Sequence, residues 1–394
     1  MREGWKSVAL SELATFHSGG TPNKEQSSFW GGPIPWVTVK DMKAMRLNGV
    51  GESLTNEGAD TVRVVPSGSV LVLVRGMGLF KDLPVVLCDR PVTFNQDIKA
   101  LIAKEGVDSE YLAFALIARK SDILRHVDSA GHGTGRLDTD LLKSTPLPLP
   151  PLPEQRKIAE ILRTWDEAIA KLEALRAAKH DRLTGLTQKL LGLGGAFPDR
   201  WKQRPLSAIS TRVRRQNGGG DHPVMTISAK SGFRLQSDKF SRDMAGRSVD
   251  RYIVLHEGEF AYNKGNSLTA PHGCIFPLDR PTALVPFVYF CFALKADLNR
   301  EFFAHLFAAG VLNHQLSRLI NSGVRNDGLL NLSPEDFFGC KVPVPPADEQ
   351  SAIASALTTA KQEIGLLETE IEALTRQKRG LMQKLLTGEW RVSC

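Results

Sequence analysis

The sequence predicts an α+β protein: two α/β globular domains joined by two long antiparallel coiled-coil helices, with an internal pseudo-two-fold repeat. Three observations carry this. One long stretch occurs twice, at a shift of 195 residues from Glu154 to Glu349 and again from Leu190 to Leu385. Each copy has the alternating four-and-three apolar spacing of a coiled-coil seam. The remaining segments carry short β-branched runs punctuated by Gly, Pro and Asp, the pattern of strands and turns. At 394 residues the chain is long enough for two or three domains with cores of their own. The expected division is a globular domain over 1–149, a helix over 150–192, a second globular domain over 193–344 and a second helix over 345–394.

The first domain opens with Trp5-Lys6 and Leu10-Ser11, echoed by Trp201-Lys202 and Leu206-Ser207 at a shift of 196. Ser18-Gly19-Gly20-Thr21-Pro22 is a turn cluster. Val62–Val65, Val70–Val74 and Val85–Leu87 read as strands. Asp108–Arg125 reads as one helix, with Tyr111, Leu112, Ala115, Leu116 and Ile123 on one side. Tyr111 and Phe114-Ala115-Leu116 match Tyr289 and Phe292-Ala293-Leu294 at a shift of 178, which suggests that these segments correspond. Gly131–Arg136 reads as a polar, glycine-rich loop.

The first long helix follows Pro150-Pro151 and the second follows Pro345-Pro346. Proline suits a helix start because its missing N–H is not needed there. Glu154 and Glu349 place negative charge in the first turn, where the helix dipole favours it. The second seam runs Ile353, Leu357, Ala360, Ile364, Leu367, Ile371, Leu374, Leu381 and Leu385, interrupted by Lys378. The first runs Ile158, Leu162, Trp165, Ile169, Leu172, Leu183, Leu186 and Leu190, interrupted by Arg176 and Lys179. Ordinary helices run roughly 8–20 residues, and these are nearly twice as long. Two such helices in one chain are each other's obvious partner.

In the second domain Pro223–Ile227, Tyr252–Leu255 and Glu259–Lys264 read as strands, and Glu301–Phe307 and Val311–Ile320 as helices. Ser322–Gly328 is the loop that answers the glycine loop of the first half. Arg214–Asp221 is expected to be a surface loop.

Formal charge is +7 with a pI near 9.1, which permits a polyanionic partner without proving one. The excess is uneven. Residues 1–154 hold 17 basic and 18 acidic side chains, whereas 193–342 hold 19 and 13. The cysteines Cys88, Cys274, Cys291, Cys340 and Cys394 show neither zinc spacing nor a disulfide framework, so reduced thiols and a cytoplasmic location are expected. The start of the chain lacks an apolar signal core, and no run of about 18 apolar residues exists to span a membrane.

Catalytic motifs are missing: there is no G-x-x-x-x-G-K-[ST] loop, no H-E-x-x-H and no N/D-P-P-Y/F tetrapeptide. Gly131–Gly135 resembles a phosphate cradle without the strand–turn–helix frame that such a cradle needs. The histidines, His132 and His272 among them, do not gather with acids or cysteines at ligand spacing, so no metal is expected. What stands out is a set of polar and basic residues beside strand ends and loops. These are Lys40, Arg75, Lys81, Asn95, Gln96 and Arg136 in the first half, and Lys230, Asn263, Lys264, Arg325 and Asn326 in the second. Arg and Lys can fork onto guanine, Asn and Gln onto adenine, and all of them hold phosphates. Any one alone is more simply a solvated charge or a capping amide; as a set at matching ends of two repeats they point to nucleic acid.

The proline lead-ins with Glu154-Gln155 and Glu349-Gln350, the Gln-Lys-Leu-Leu endings at 188–191 and 383–386, Gly19-Gly20-Thr21-Pro22 with Trp30–Trp36, and Gly258–Lys264 together resemble the specificity subunit of type I restriction–modification systems, over the whole chain. Ala347-Asp348, where the first copy has Leu152-Pro153, is a minor departure. The resemblance implies two target recognition domains, each reading half of a split site in double-stranded DNA, and a spacer of paired helices. A helix of about 38 residues is about 55 Å long, enough to set half-sites one duplex turn, about 34 Å, apart. It implies that Glu154, Gln155, Ile158, Leu162, Glu349, Gln350, Ile353 and Leu357 serve the spacer and partner docking. It implies two methyltransferase subunits that bind S-adenosylmethionine, and restriction/translocase subunits that use ATP and Mg²⁺. This chain would be non-catalytic and hold no cofactor. Two alternatives are a coiled-coil assembly scaffold that binds no DNA, for which charge reversal at Lys264 and Arg325 would be silent, and the specificity part of a fused restriction enzyme.

Overall fold

The computed structural model describes residues 4–130, 133–193, 195, 197–239, 250–265, 270–320 and 330–393. It divides into two compact units, 1–173 with 369–394, and 174–368. The long helices run Leu152–Leu190 and Ala347–Leu386, so each gives one half to each unit.

In the first unit a four-stranded antiparallel sheet has the order Ala14–Ser18, Ile98–Ala103, Val70–Leu73, Val85–Leu87. Val70–Leu73 is wholly buried, as an unbroken apolar run in a central strand should be. Ser109–Ala118 packs on this sheet with Tyr111, Leu112, Phe114 and Leu116 buried. The helix expected over 108–125 is two helices, the second being Lys120–Leu124, with Arg119 as the hinge between them. Of the strand expected at Val62–Val65, only a single bridge between Val65 and Val92 is present. The start of the unit is closed by Lys6–Ala9 pairing with Pro146–Leu149.

The second unit repeats this plan. Its sheet has the order Ser210–Val213, Phe290–Leu294, Phe260–Asn263, Cys274–Pro277, also antiparallel. Lys202–Pro205 pairs with Lys341–Val344. A one-turn helix follows each opening strand, and its first N–H reaches a carbonyl just before each closing strand: Leu10 to Thr145 at 3.0 Å, Leu206 to Cys340 at 2.9 Å. This core is more aromatic, with Phe260 stacked on Phe292 and Tyr262 stacked on Phe337.

The suggested correspondence of Tyr111 with Tyr289 is corrected by the structure. Tyr111 lies on a helix, whereas Tyr289 immediately precedes the strand Phe290–Leu294. The true counterpart of Ser109–Ala118 is the helix Arg300–Ala308. Asp108 caps the first by accepting from Tyr111 N, and Asn299 caps the second by accepting from Phe302 N. A shared aromatic–aliphatic pattern had matched a helix buried from Tyr111 through Leu116 to a strand buried at Phe290, Cys291 and Phe292.

Within each unit the long helices run antiparallel. In the first, Ile158 and Leu162 share one core with Leu381 and Leu385; in the second, Leu186 and Leu190 share one with Ile353 and Leu357. Two residues that break the apolar seam find acids on the other helix. Lys378 pairs with Asp166 in the first unit, and Lys179 with Glu363 at 2.6 Å in the second.

Candidate nucleic-acid interface

Glu154 and Gln155 open the first long helix, and both are buried. Gln155 Oε1 accepts the N–H of Asp108 at 2.8 Å, while its Nε2 donates to the carbonyls of Gly106 and Pro150 at 3.0 and 2.9 Å. Gln350 repeats this: Oε1 accepts from Asn299 N at 2.9 Å and Nε2 donates to Pro345 O at 2.9 Å. The amide therefore ties the helix start to the cap of the helix beside it. Glu154 accepts from Trp5 Nε1 at 3.1 Å and from the Arg391 guanidinium at 2.6 and 2.9 Å. Glu349 accepts from Trp201 Nε1 at 2.9 Å and pairs with Arg200. Arg200 and Trp201 hold the Glu349 carboxyl below its ordinary value, their hydrogen bonds being the main cause. Each arginine follows the end of the other long helix, Arg391 after the second and Arg200 after the first, but at a different offset, so no shared motif marks them in the sequence. Ile158, Leu162, Ile353 and Leu357 are buried as well, each pair in the core of its own unit.

The candidate polar residues of the first unit are gathered by a chain of backbone hydrogen bonds. Asn95 N donates to Val37 O at 3.1 Å, which sets the turn at 95–97 beside the loop carrying Lys40. Val74 N and Arg75 N both donate to Asp97 O, at 2.8 and 3.2 Å. Leu137 N donates to Val74 O at 2.9 Å, and Arg75 and Arg136 are register partners across two strands. Arg136 thus lies on the strand Thr134–Leu137 of a hairpin with Val127–Ala130, rather than in a plain loop. Lys40, Arg75, Lys81, Gln96 and Arg136 are exposed. Asn95 is half-buried and bonds to Asp97, so it shapes its turn. Gln96 accepts from Thr21 at 2.7 Å, tying it to the Gly-Gly-Thr-Pro cluster. There Gly19 is required by space: a Cβ would lie 2.3 Å from Phe94 O.

In the second unit Asn263 Nδ2 donates to Ile227 O at 3.2 Å, joining the strand end at 263 to the turn that holds exposed Lys230. Lys264 Nζ lies 5.3 Å from the Phe290 ring centre. Leu330 N donates to Lys264 O at 2.9 Å, the counterpart of the Leu137–Val74 bond. Arg325 and Asn326 lie outside the described residues, as does His132.

Among the described residues no group of three or more His, Cys, Asp or Glu is placed to hold a metal. Burial pushes the Cys88 and Cys291 thiols up to about 12 and Cys340 up to about 11, so these are protonated packing groups. No helix of the described residues is long and apolar enough to cross a membrane.

Comparison with known proteins shows what this chain resembles. Residues 2–178 match the type I restriction modification DNA specificity domain. The MjaIX specificity subunit of Methanocaldococcus jannaschii is 29% identical over 98% of this chain and 94% of its own length. The EcoR124I/EcoR124II specificity subunit of Escherichia coli is 35% identical, over 41% of this chain and only 40% of that protein. The crystal structure of the S subunit from M. genitalium superposes with a TM-score of 0.59 at 17% identity, over 97% of this chain and 96% of that one. A chain from a structure of a type I system reaches 0.56 at 16% identity, over 99% of both. At such identities the structural likeness speaks for the fold alone. The chain is thus similar, through a specificity-domain match over residues 2–178 and a relative aligned along nearly its full length, to the specificity subunits of type I restriction–modification systems.

Proposed function

We propose that this chain is the DNA-reading, non-catalytic subunit of a type I enzyme, each unit reading one half of a bipartite, asymmetric site in double-stranded DNA. The observation that carries the reading is the backbone-bonded series that brings Lys40, Gln96, Arg75 and Arg136 to one edge of the first unit. Lys230, Asn263 and Lys264 take comparable places in the second. Cations on such an edge suit phosphates, and amides and guanidinia suit base edges. The paired helices set the spacing of the half-sites, so the intervening bases go unread. Their outward faces dock two methyltransferase subunits, which bring S-adenosylmethionine, and the restriction/translocase subunits bring ATP and Mg²⁺.

The test uses the chain with its methyltransferase partner and a duplex bearing both half-sites. Binding should weaken steeply with salt, log K falling by about 0.9 per neutralised phosphate for each unit of log salt. One base pair inserted into the spacer should cripple binding. Unchanged affinity after that insertion would count against a fixed ruler.

A further inference from the structure

In the middle of its basic edge the first unit exposes two large apolar side chains, Met77 at 73% and Phe80 at 52%. A single exposed apolar residue is ordinary. These two are held in place. Leu79 between them is fully buried, so the one-turn 3-10 helix Met77–Phe80 is pinned to the core while its neighbours project. Gly135 on the adjoining hairpin strand lets it sit flush: a Cβ there would lie 3.1 Å from both Leu79 Cβ and Gly76 O. Gly76, where the strand bends into the turn, has φ +156°, a value that other residues rarely adopt.

The surrounding charge narrows the occupant. Arg75 and Arg136 stand directly across from each other, and like charges so placed destabilise a sheet. Asp128 is the register partner of Arg136 on its other side. Among the described residues no ion pair within 4.0 Å uses Arg75, Arg136 or Lys81, although Arg136 lies near enough to Asp138 to help lower its carboxyl. Asp82, the acid next to Lys81, is engaged by Lys120 at 2.8 Å. Cations without a close ion-pair partner around rigidly presented apolar groups match a duplex, with phosphates for the cations and apolar base edges between them. A β-ribbon fits the major groove, where the thymine methyl is the apolar feature.

Resting on the reading that the first unit recognises a half-site, we propose that Met77 and Phe80 contact thymine methyl groups there and set sequence preference at one or two adjacent base pairs. Arg75, Lys81 and Arg136 hold the flanking phosphates.

The experiment takes the full chain with its methyltransferase partner and replaces each thymine of the first half-site in turn by deoxyuridine. For the wild type, losing one contacted methyl should weaken binding about fourfold. In Met77→Ala/Phe80→Ala that penalty should vanish at the same one or two positions, with the salt slope unchanged. Arg75→Ala/Arg136→Ala should do the reverse, keeping the penalty and lowering the slope by about two. Equal loss by Met77→Ala/Phe80→Ala on every duplex, or an undiminished deoxyuridine penalty, would overturn the assignment. So would failure of that variant to assemble with the methyltransferase, which would make this patch a protein contact. All three leave wild-type binding to the bipartite duplex intact. A wild-type complex that binds no such duplex would instead overturn the functional reading and this assignment with it.

Discussion

Gln155 and Gln350 show how much one amide can organise. Each occupies both its acceptor and its donor inside the protein, joining a proline lead-in to the cap of a neighbouring helix. Gln155→Ala would leave the Asp108 N–H and the Gly106 and Pro150 carbonyls without that partner. Of these partners the Pro150 carbonyl is buried, and a buried group left unsatisfied costs about 1–3 kcal/mol, so the first unit should lose about that much in urea unfolding. His305 gives a second prediction. It is buried against the second long helix, with Thr358 Oγ1 2.9 Å from its Nε2 and Glu301 3.3 Å beyond. Burial pulls its pKa down from 6.5 to about 4, and Lys361 adds to this. Between those values the unfolded chain binds more protons than the folded one, so His305 stabilises above pH 6.5 and that contribution fades as pH falls toward 4. The first unit carries Phe114 at the equivalent place on its helix. His305→Phe should flatten the pH dependence of unfolding between 6.5 and 4; thermal melts across that range would show it.

At the scale of elements, the long helices were legible because periodicity persists over many turns and proline marks both starts. Lys179 and Lys378, which looked like flaws in the seam, are the residues that pair with acids across it. Lys378 also lies 5.3 Å from the Phe114 ring centre, so it packs as well as pairs. Lys378→Glu should destabilise the first unit, and adding Asp166→Lys should recover part of the loss. A double-mutant cycle by urea unfolding should return a coupling of about 0.5–1 kcal/mol. No coupling would mean that the pair does not help fix the register. The short elements were less legible. Val62–Val65 has strand composition but no neighbouring strand to pair along. Gly131–Arg136 has loop composition, yet Thr134–Leu137 is fixed by pairing with Arg75-Gly76, far away in sequence. The Tyr111–Tyr289 match failed because aromatic spacing alone does not separate a helix face from a strand face.

Across the whole molecule, two units share one order of strands and one way of fastening a long helix, while their cores and edges differ. Shared fastening explains why the helices kept their likeness: Glu154, Gln155, Glu349 and Gln350 bond to main-chain and tryptophan groups that both units possess. The edges carry no such constraint, and the residues there are the ones expected to read different bases. That set could be named from the sequence, but not its grouping, because the bonds joining 37, 95, 97, 75 and 136 span distant parts of the chain. Nor was the exposure of Met77 and Phe80 visible, since their neighbour Leu79 is just as apolar and is buried. Two unlike readers on a fixed spacer should leave a distinctive mark on DNA. Mapping adenine methylation across a genome that expresses this chain with its methyltransferase partner tests this most directly. The account predicts one motif made of two different half-sites separated by a constant number of unspecified base pairs. A continuous motif, or half-sites at variable separation, would contradict it.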